Sequence, residues 1–225
     1  MPILIVVIAI IVLFGPSFWA NHVLKKFGRH EYFSGNGLDL ARLMLTRLNM
    51  NDVNVEITES GDHYDPEKKV LGLTRARCDK KTLTAVVVAA HEVGHAIQDR
   101  DGYAPLRTRT RMIRTAVRLE KAGATIILLV PVLAVLTRVP AAGGLMLMGG
   151  FATLCIPVFV HFLTLPCEFD ASFNRALPML VNGKLIPPED YPAARKILLA
   201  CALTYVANAL VGLLNVWRWI RILRR

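Results

Sequence analysis

TLTAVVVAAHEVGHAIQ, residues 82–98, decides how this chain is read. A small and apolar run from Ala85 to Ala90 leads straight into His91, Glu92 and His95. Asp79 or Thr82 can cap a helix through this stretch, and the apolar content predicts that the helix is buried on most sides. Residues four apart share one helix face, so the His91 and His95 imidazoles can reach a single metal ion. Zinc accepts imidazole nitrogen at ~2.0–2.1 Å in a tetrahedral shell, and a catalytic zinc keeps one position open for water. The metal lowers the pKa of that water toward ~7, and Glu92 stands where a general base would take its proton. The bland alternative is a helix with two core histidines and a surface glutamate. Burying two imidazoles and a carboxylate without partners costs several kcal/mol, which weighs against it.

A third ligand is required. The longer H-E-x-x-H-x-x-G-x-x-H form is absent, because Gln98 stands at the glycine position and Asp101 at the third histidine. Glu168 is the first candidate, in TLPCEFDAS, residues 164–172. It sits at the inner end of an apolar block, where a carboxylate is costly unless it pairs or binds metal. Acidic residues also favour first helical turns, here just after Pro166, so a cap explains it equally well. Asp170, His63 and Glu120 are rivals, and the residues alone leave the choice open.

Working outward, the chain of 225 residues is 54% apolar with net charge +10. Its apolar residues are segregated into blocks at 3–20, 122–137, 141–166 and 197–217, while most of the charge lies between 21 and 121. Segregation of this kind predicts a membrane protein with one compact polar domain. The basic residues flank the apolar blocks: Lys25, Lys26 and Arg29 after the first, and Arg107 to Lys121 before the second. That pattern fits cytoplasmic flanks and anionic lipid heads. No basic stripe with aromatic or polar contacts is present, which argues against a nucleic-acid partner. Met1-Pro2 carries no basic leader, so the first block reads as a retained anchor with residue 21 onward inside. Blocks two and three read as a helical hairpin turning at Arg138-Val139-Pro140. If block four crosses, Arg218, Arg221, Arg224 and Arg225 fall outside, against the positive-inside rule. The four cysteines show no CxxC spacing and read as buried thiols.

The intermediate stretch reads as a small α+β domain. Leu38 to Leu48 has apolar residues at helical spacing. DVNVEIT, residues 52–58, alternates as a half-buried strand. Gly61 to Pro66 is a turn by composition. Lys69 to Thr74 is a second strand, expected to pair back as a β-hairpin and to offer an edge to an extended peptide. Five segments follow: an N-terminal membrane anchor, 1–20; a zincin-like catalytic segment, 21–121; a transmembrane helical hairpin, 122–166; a third-ligand segment with connecting loop, 167–195; and a C-terminal membrane-associated helix with a basic tail, 196–225.

Four segments together carry a resemblance: Asp62-His63-Tyr64-Asp65-Pro66, residues 89–98 (AAHEVGHAIQ), residues 164–172 (TLPCEFDAS) and residues 202–207 (ALTYVA). In this order they resemble the neutral zinc metallopeptidases of bacterial membranes, the YugP-like family. The family often has Val and Asn where this chain has Cys167 and Asp170, and an Arg-rich turn where it has Phe173-Asn174-Arg175. The resemblance implies an α-rich α+β fold: a zincin-like core with a β-hairpin and active-site helix, plus about four membrane-associated helices. It also implies a membrane-bound zinc endopeptidase. Similarity to glutamate-ligand zincins, in which a glutamate opening a later helix completes the site, points to Glu168. The expected metal ligands of one zinc ion per chain are then His91, His95 and Glu168, with Glu92 as general base. His63 and Tyr205, with Tyr64 behind them, are candidate oxyanion donors. The expected partners are polypeptide substrates, membrane proteins among them, and a bilayer, and the expected location is the bacterial inner membrane with the catalytic segment cytoplasmic. The alternative is a membrane scaffold or chaperone with a structural zinc site and no turnover.

Overall fold

A computed structural model of the chain describes residues 2–137 and 140–214. The elements run α1 (Pro2–Lys26), α2 (Gly37–Arg47), β1 (Asn54–Ile57), β2 (His63–Asp65), β3 (Val70–Leu73), α3 (Arg75–Cys78), α4 (Leu83–Arg100), α5 (Ala104–Thr137) and α6 (Pro140–Phe169). A π-helical stretch, Asp170–Ala176, then leads to α7 (Leu177–Asn182) and α8 (Tyr191–Leu214). The fold is helix-rich α+β with one small three-stranded sheet. It divides into two compact units. One holds Met1–Phe14, Thr108–Thr164 and Tyr205–Arg225; the other holds Gly15–Arg107 and Leu165–Thr204.

The second unit is built around α4. Thr82 caps it, its side chain accepting from the Ala85 amide at 3.2 Å. Every residue from Leu83 to Gln98 is buried. A helix apolar all round must be enclosed, and here α2, the sheet, the π-helical stretch and α7 all pack on it. Asn36 starts α2 through a capping box with Asp39, the two side chains bonding each other's backbone amides. Met44, Leu71, Leu73, Ile197 and Leu198 fill the core beside α4.

The sheet corrects the expected hairpin. Its order is β1-β3-β2. β1 pairs with β3 in parallel, Asn54 opposite Val70 and Ile57 opposite Leu73. The antiparallel hairpin is instead β2 with β3, His63 opposite Gly72 and Asp65 opposite Val70. Composition marked Gly61 to Pro66 as a turn, yet it contains a strand because its polar groups have long-range partners. Tyr64 is buried and donates its hydroxyl to Asp99 at 2.8 Å. Asp62 accepts from the Thr74 amide and hydroxyl at 2.7 and 2.9 Å, and from Arg77. The turn lies one step later: Asp65 Oδ1 accepts from the Glu67 and Lys68 amides, and Lys69 takes a positive φ of 53°. β3 is therefore the central strand, and the edges fall to β1 and β2 rather than to Lys69–Thr74.

The apolar blocks fold as helices. However, among the described residues no helix is long and apolar enough to cross a membrane, so the expected membrane helices are not carried by the fold itself. α5 runs unbroken from Ala104 through the Arg-rich stretch into the second block, with no break at 121/122. The expected turn at Arg138-Val139 and the tail from 215 onward, with its four arginines, lie outside the described residues.

Candidate metal centre

The π-helical stretch crosses α4 at Gly94. A Cβ on Gly94 would lie 2.5 Å from the Ala171 carbonyl oxygen, so only glycine admits this approach. The crossing sets the end of α6 against the His91–His95 face. Glu168 occupies the last turn of α6, with Pro166 inside that helix, rather than opening a later one.

Three buried side chains converge there. Glu168 Oε2 lies 3.4 Å from His91 Nε2 and 3.1 Å from His95 Nε2, and all three residues are 1–2% exposed. The two imidazole rings stand edge to face, their centroids 4.9 Å apart. Among the described residues these three form the group whose ligand atoms all lie within 4.8 Å of one another.

Hydrogen bonding decides what the rings present to this point. His95 Nδ1 meets Gln98 Oε1 at 2.9 Å. An amide oxygen only accepts, so Nδ1 carries the hydrogen. His91 Nδ1 meets Ser172 Oγ at 3.0 Å, and the Ser172 hydroxyl donates to the Leu198 carbonyl at 3.3 Å. Its one hydrogen is used there, so His91 Nδ1 is the donor in the other contact. Both Nε2 atoms therefore turn lone pairs toward a carboxylate. His91 Nε2 is buried and has no hydrogen-bond partner.

Three electron-rich atoms at this separation need positive charge among them. A proton on one imidazole satisfies one contact; a metal ion satisfies all three. Two ligand atoms on a tetrahedral ion at ~2.0–2.1 Å stand about 3.4 Å apart, close to both separations here. The donor set of two imidazoles and a carboxylate is also a standard catalytic zinc set. The site fits zinc.

The family described as "Putative neutral zinc metallopeptidase" matches residues 2–224. The chain belongs to this family. One relative, "Putative membrane protease YugP" of Bacillus subtilis (strain 168), is 35% identical over 216 residues, covering 92% of each chain. No solved structure matches the chain. The zinc in the family's description agrees with the buried histidine and glutamate group, and two of the four segments that carried the resemblance, residues 89–98 and 164–172, build it.

The supports of this zinc-family site were not assigned from sequence. Gln98 holds His95 through Oε1 and reaches across with Nε2 to the Cys167 carbonyl at 2.9 Å and Asp170 Oδ2 at 2.8 Å. Asp170 also accepts from Asn174 and Arg175, and Arg175 bonds Asp101 just past α4. Burial alone would raise the Asp170 pKa, but the bonds from Arg175, Gln98 and Asn174 outweigh it and hold the carboxyl below its ordinary range. Asp170 thus acts as a clamp between helices. A usable signal existed for Gln98 alone, which follows His95 by three, about one helical turn.

The other candidates have their own surroundings. Glu92 is buried on α4. The Cys201 thiol of α8 is pushed well above its usual range, first by burial and then by the Glu92 charge, which puts Glu92 within electrostatic reach of α8. His63 lies on β2, its Nδ1 2.9 Å from the Gly61 carbonyl and its ring over Gly72. Neighbouring Tyr64 faces α4, so His63 projects from the opposite sheet face. Tyr205 belongs to the other unit, between His161, stacked at 5.8 Å, and the Arg109 guanidinium at 5.0 Å. Glu120 is also in that unit.

Proposed function

We propose that this chain is a membrane-associated, zinc-dependent endopeptidase with His91, His95 and Glu168 as metal ligands and Glu92 as general base. The single observation that supports it most is the convergence of two Nε2 lone pairs and one carboxylate in a buried site. Zinc, when bound, supplies Lewis-acid activation of water and of the scissile carbonyl. The chain's own part is positional. Gln98 and Ser172 hold each ring in the tautomer that leaves Nε2 free. Glu92, next to His91 in a buried helix, accepts a proton from the attacking water and returns it to the leaving amine.

Membrane association is supported by exposed apolar side chains on α1, including Leu4, Ile11, Phe14 and Phe18. Patches of this kind are unfavourable in water at about 25 cal/mol per Å² and usually meet a lipid or protein surface. The relative's printed name, a membrane protease, agrees with this reading. The substrates proposed are unfolded or membrane-associated polypeptides, reached from the cytoplasmic face of a bacterial inner membrane.

The test is elemental analysis with peptide-cleavage assays on wild type, His95→Ala, Glu168→Ala and Glu92→Gln. The reading requires zinc in wild type, loss in the first two variants, and zinc without turnover in the third. A scaffold with structural zinc would show no turnover in any of them. Retention of zinc in Glu168→Ala would move the third ligand to another residue.

A further inference from the structure

Where α1 ends, the second unit contains a cavity of about 380 Å³ that the peptidase reading does not use. Asn21, Leu24 and Lys25 line it from the end of α1 and Arg29 from the residues after that helix, and Arg77 and Lys80 face them from α3 and the residues after it. Four of these are cations, and no acidic residue lines the space. Arg77 is fixed in place by Asp62 at 3.3 Å through Nε alone, which leaves its terminal nitrogens for a ligand. The carbonyls at a helix C-terminus ordinarily repel anions. Here they are engaged: Val23 by the Phe27 amide, Leu24 by the Thr84 hydroxyl and Lys25 by the Gly28 amide.

The turn of α1 that precedes these lining residues carries an exposed apolar side chain. Phe18, Asn21 and Lys25 follow at i, i+3 and i+7 and share one face of α1. Phe18, 76% exposed, is the last apolar residue on that face before the cations. Earlier on the same face stand Ile11 and Phe14, both exposed. A cationic cavity lined by residues one and two turns beyond an exposed phenylalanine on the same helix face matches a molecule with a phosphate at one end and hydrocarbon at the other.

We propose that this cavity binds the phosphate of an anionic phospholipid headgroup, with the acyl chains against the Phe18 face of α1. Lys25, Arg29, Arg77 and Lys80 supply the charge, and Asn21 a polar contact. The proposal rests on α1 as a membrane-facing helix, taken from the proposed function. Bound lipid would fix the end of α1 against α3 and so hold the catalytic unit at the membrane surface.

The experiment uses the full chain purified in a non-ionic detergent. Short-chain phosphatidylglycerol, short-chain phosphatidylcholine and inorganic phosphate are titrated separately by calorimetry. The expected result is binding of phosphatidylglycerol that weakens roughly tenfold or more in the Lys25→Gln, Arg29→Gln, Lys80→Gln triple variant. An Arg111→Gln, Arg114→Gln, Lys121→Gln variant removes as many exposed cations from α5 and should bind as wild type. Phosphatidylcholine bound as tightly as phosphatidylglycerol, or equal loss in both triple variants, overturns the proposal. Inorganic phosphate bound as tightly as the lipid overturns the lipid assignment. If the first triple variant loses its melting transition, Lys80→Gln alone gives the same reading at an exposed position. Flotation with neutral phosphatidylcholine vesicles tests the membrane-facing reading separately, because it needs no cationic cavity.

Discussion

Gln98 Oε1 accepts the Nδ1 hydrogen of His95 at 2.9 Å, and the same amide's Nε2 donates to Asp170 and to the Cys167 carbonyl beside Glu168. One carboxamide therefore fixes the tautomer of one proposed ligand and the position of the segment that carries another. Ser172 does the equivalent for His91, with its own hydrogen directed to Leu198 on α8.

Removing these supports should weaken zinc binding before it abolishes the fold. Ser172→Ala deletes the acceptor for His91, and zinc affinity is expected to fall roughly 10–100-fold, read by chelator competition. Gln98→Leu strips acceptors and donors from a buried cluster, each orphaned group costing about 1–3 kcal/mol, so affinity and melting temperature should both drop. Unchanged affinity in both variants would mean that the rings are oriented by something else.

Gly94→Ala tests the helix crossing. The added carbon meets the Ala171 backbone rather than a flexible side chain, so α4 and the π-helical stretch must separate. The expected destabilisation is about 1–3 kcal/mol, with weaker zinc binding because Glu168 moves away from the histidines. A variant that melts like wild type and holds zinc equally well would show that no close backbone approach at Gly94 positions Glu168.

Acid should unlatch the Asp101–Arg175–Asp170 chain. Hydrogen bonding from Arg175, against a smaller effect of burial, holds the Asp101 carboxyl below its ordinary 3.8, and Asp170 is also held low. For a carboxylate with a depressed folded pKa, the stabilisation is present above the unfolded value and is lost as pH falls through the folded one. Wild type should therefore lose stability below about pH 4 more steeply than Arg175→Met, compared by chemical denaturation at pH 3 and pH 6. Parallel curves for the two proteins would remove the latch from the account.

Thiol chemistry gives an independent check on burial. Burial pushes the Cys78 and Cys201 thiols above their usual range, with nearby carboxylates adding to it. Both should resist iodoacetamide at pH 8 in the native protein and react after denaturation, as peptide mass mapping would show. Rapid native labelling of Cys201 would contradict its burial on α8.

By itself, the sequence determined the buried zinc-site helix, a cap at either Asp79 or Thr82, the two histidines on one face and the α2 helix. All of these are short-range patterns in which spacing and side-chain chemistry speak locally. It also brought Glu168 forward, but only through resemblance, because Pro166 and the acidic residues after it read equally well as a helix start. The tertiary structure alone decided the parallel pairing of β1 with β3, since the strand inside Asp62–Pro66 exists through bonds to Asp99, Thr74 and Arg77, which lie far along the chain. It also placed Glu168 at the end of α6 and gave Gln98 and Ser172 their roles. Those depend on α4 and the π-helical stretch meeting at Gly94, and a contact between segments more than seventy residues apart leaves no periodic trace in either one.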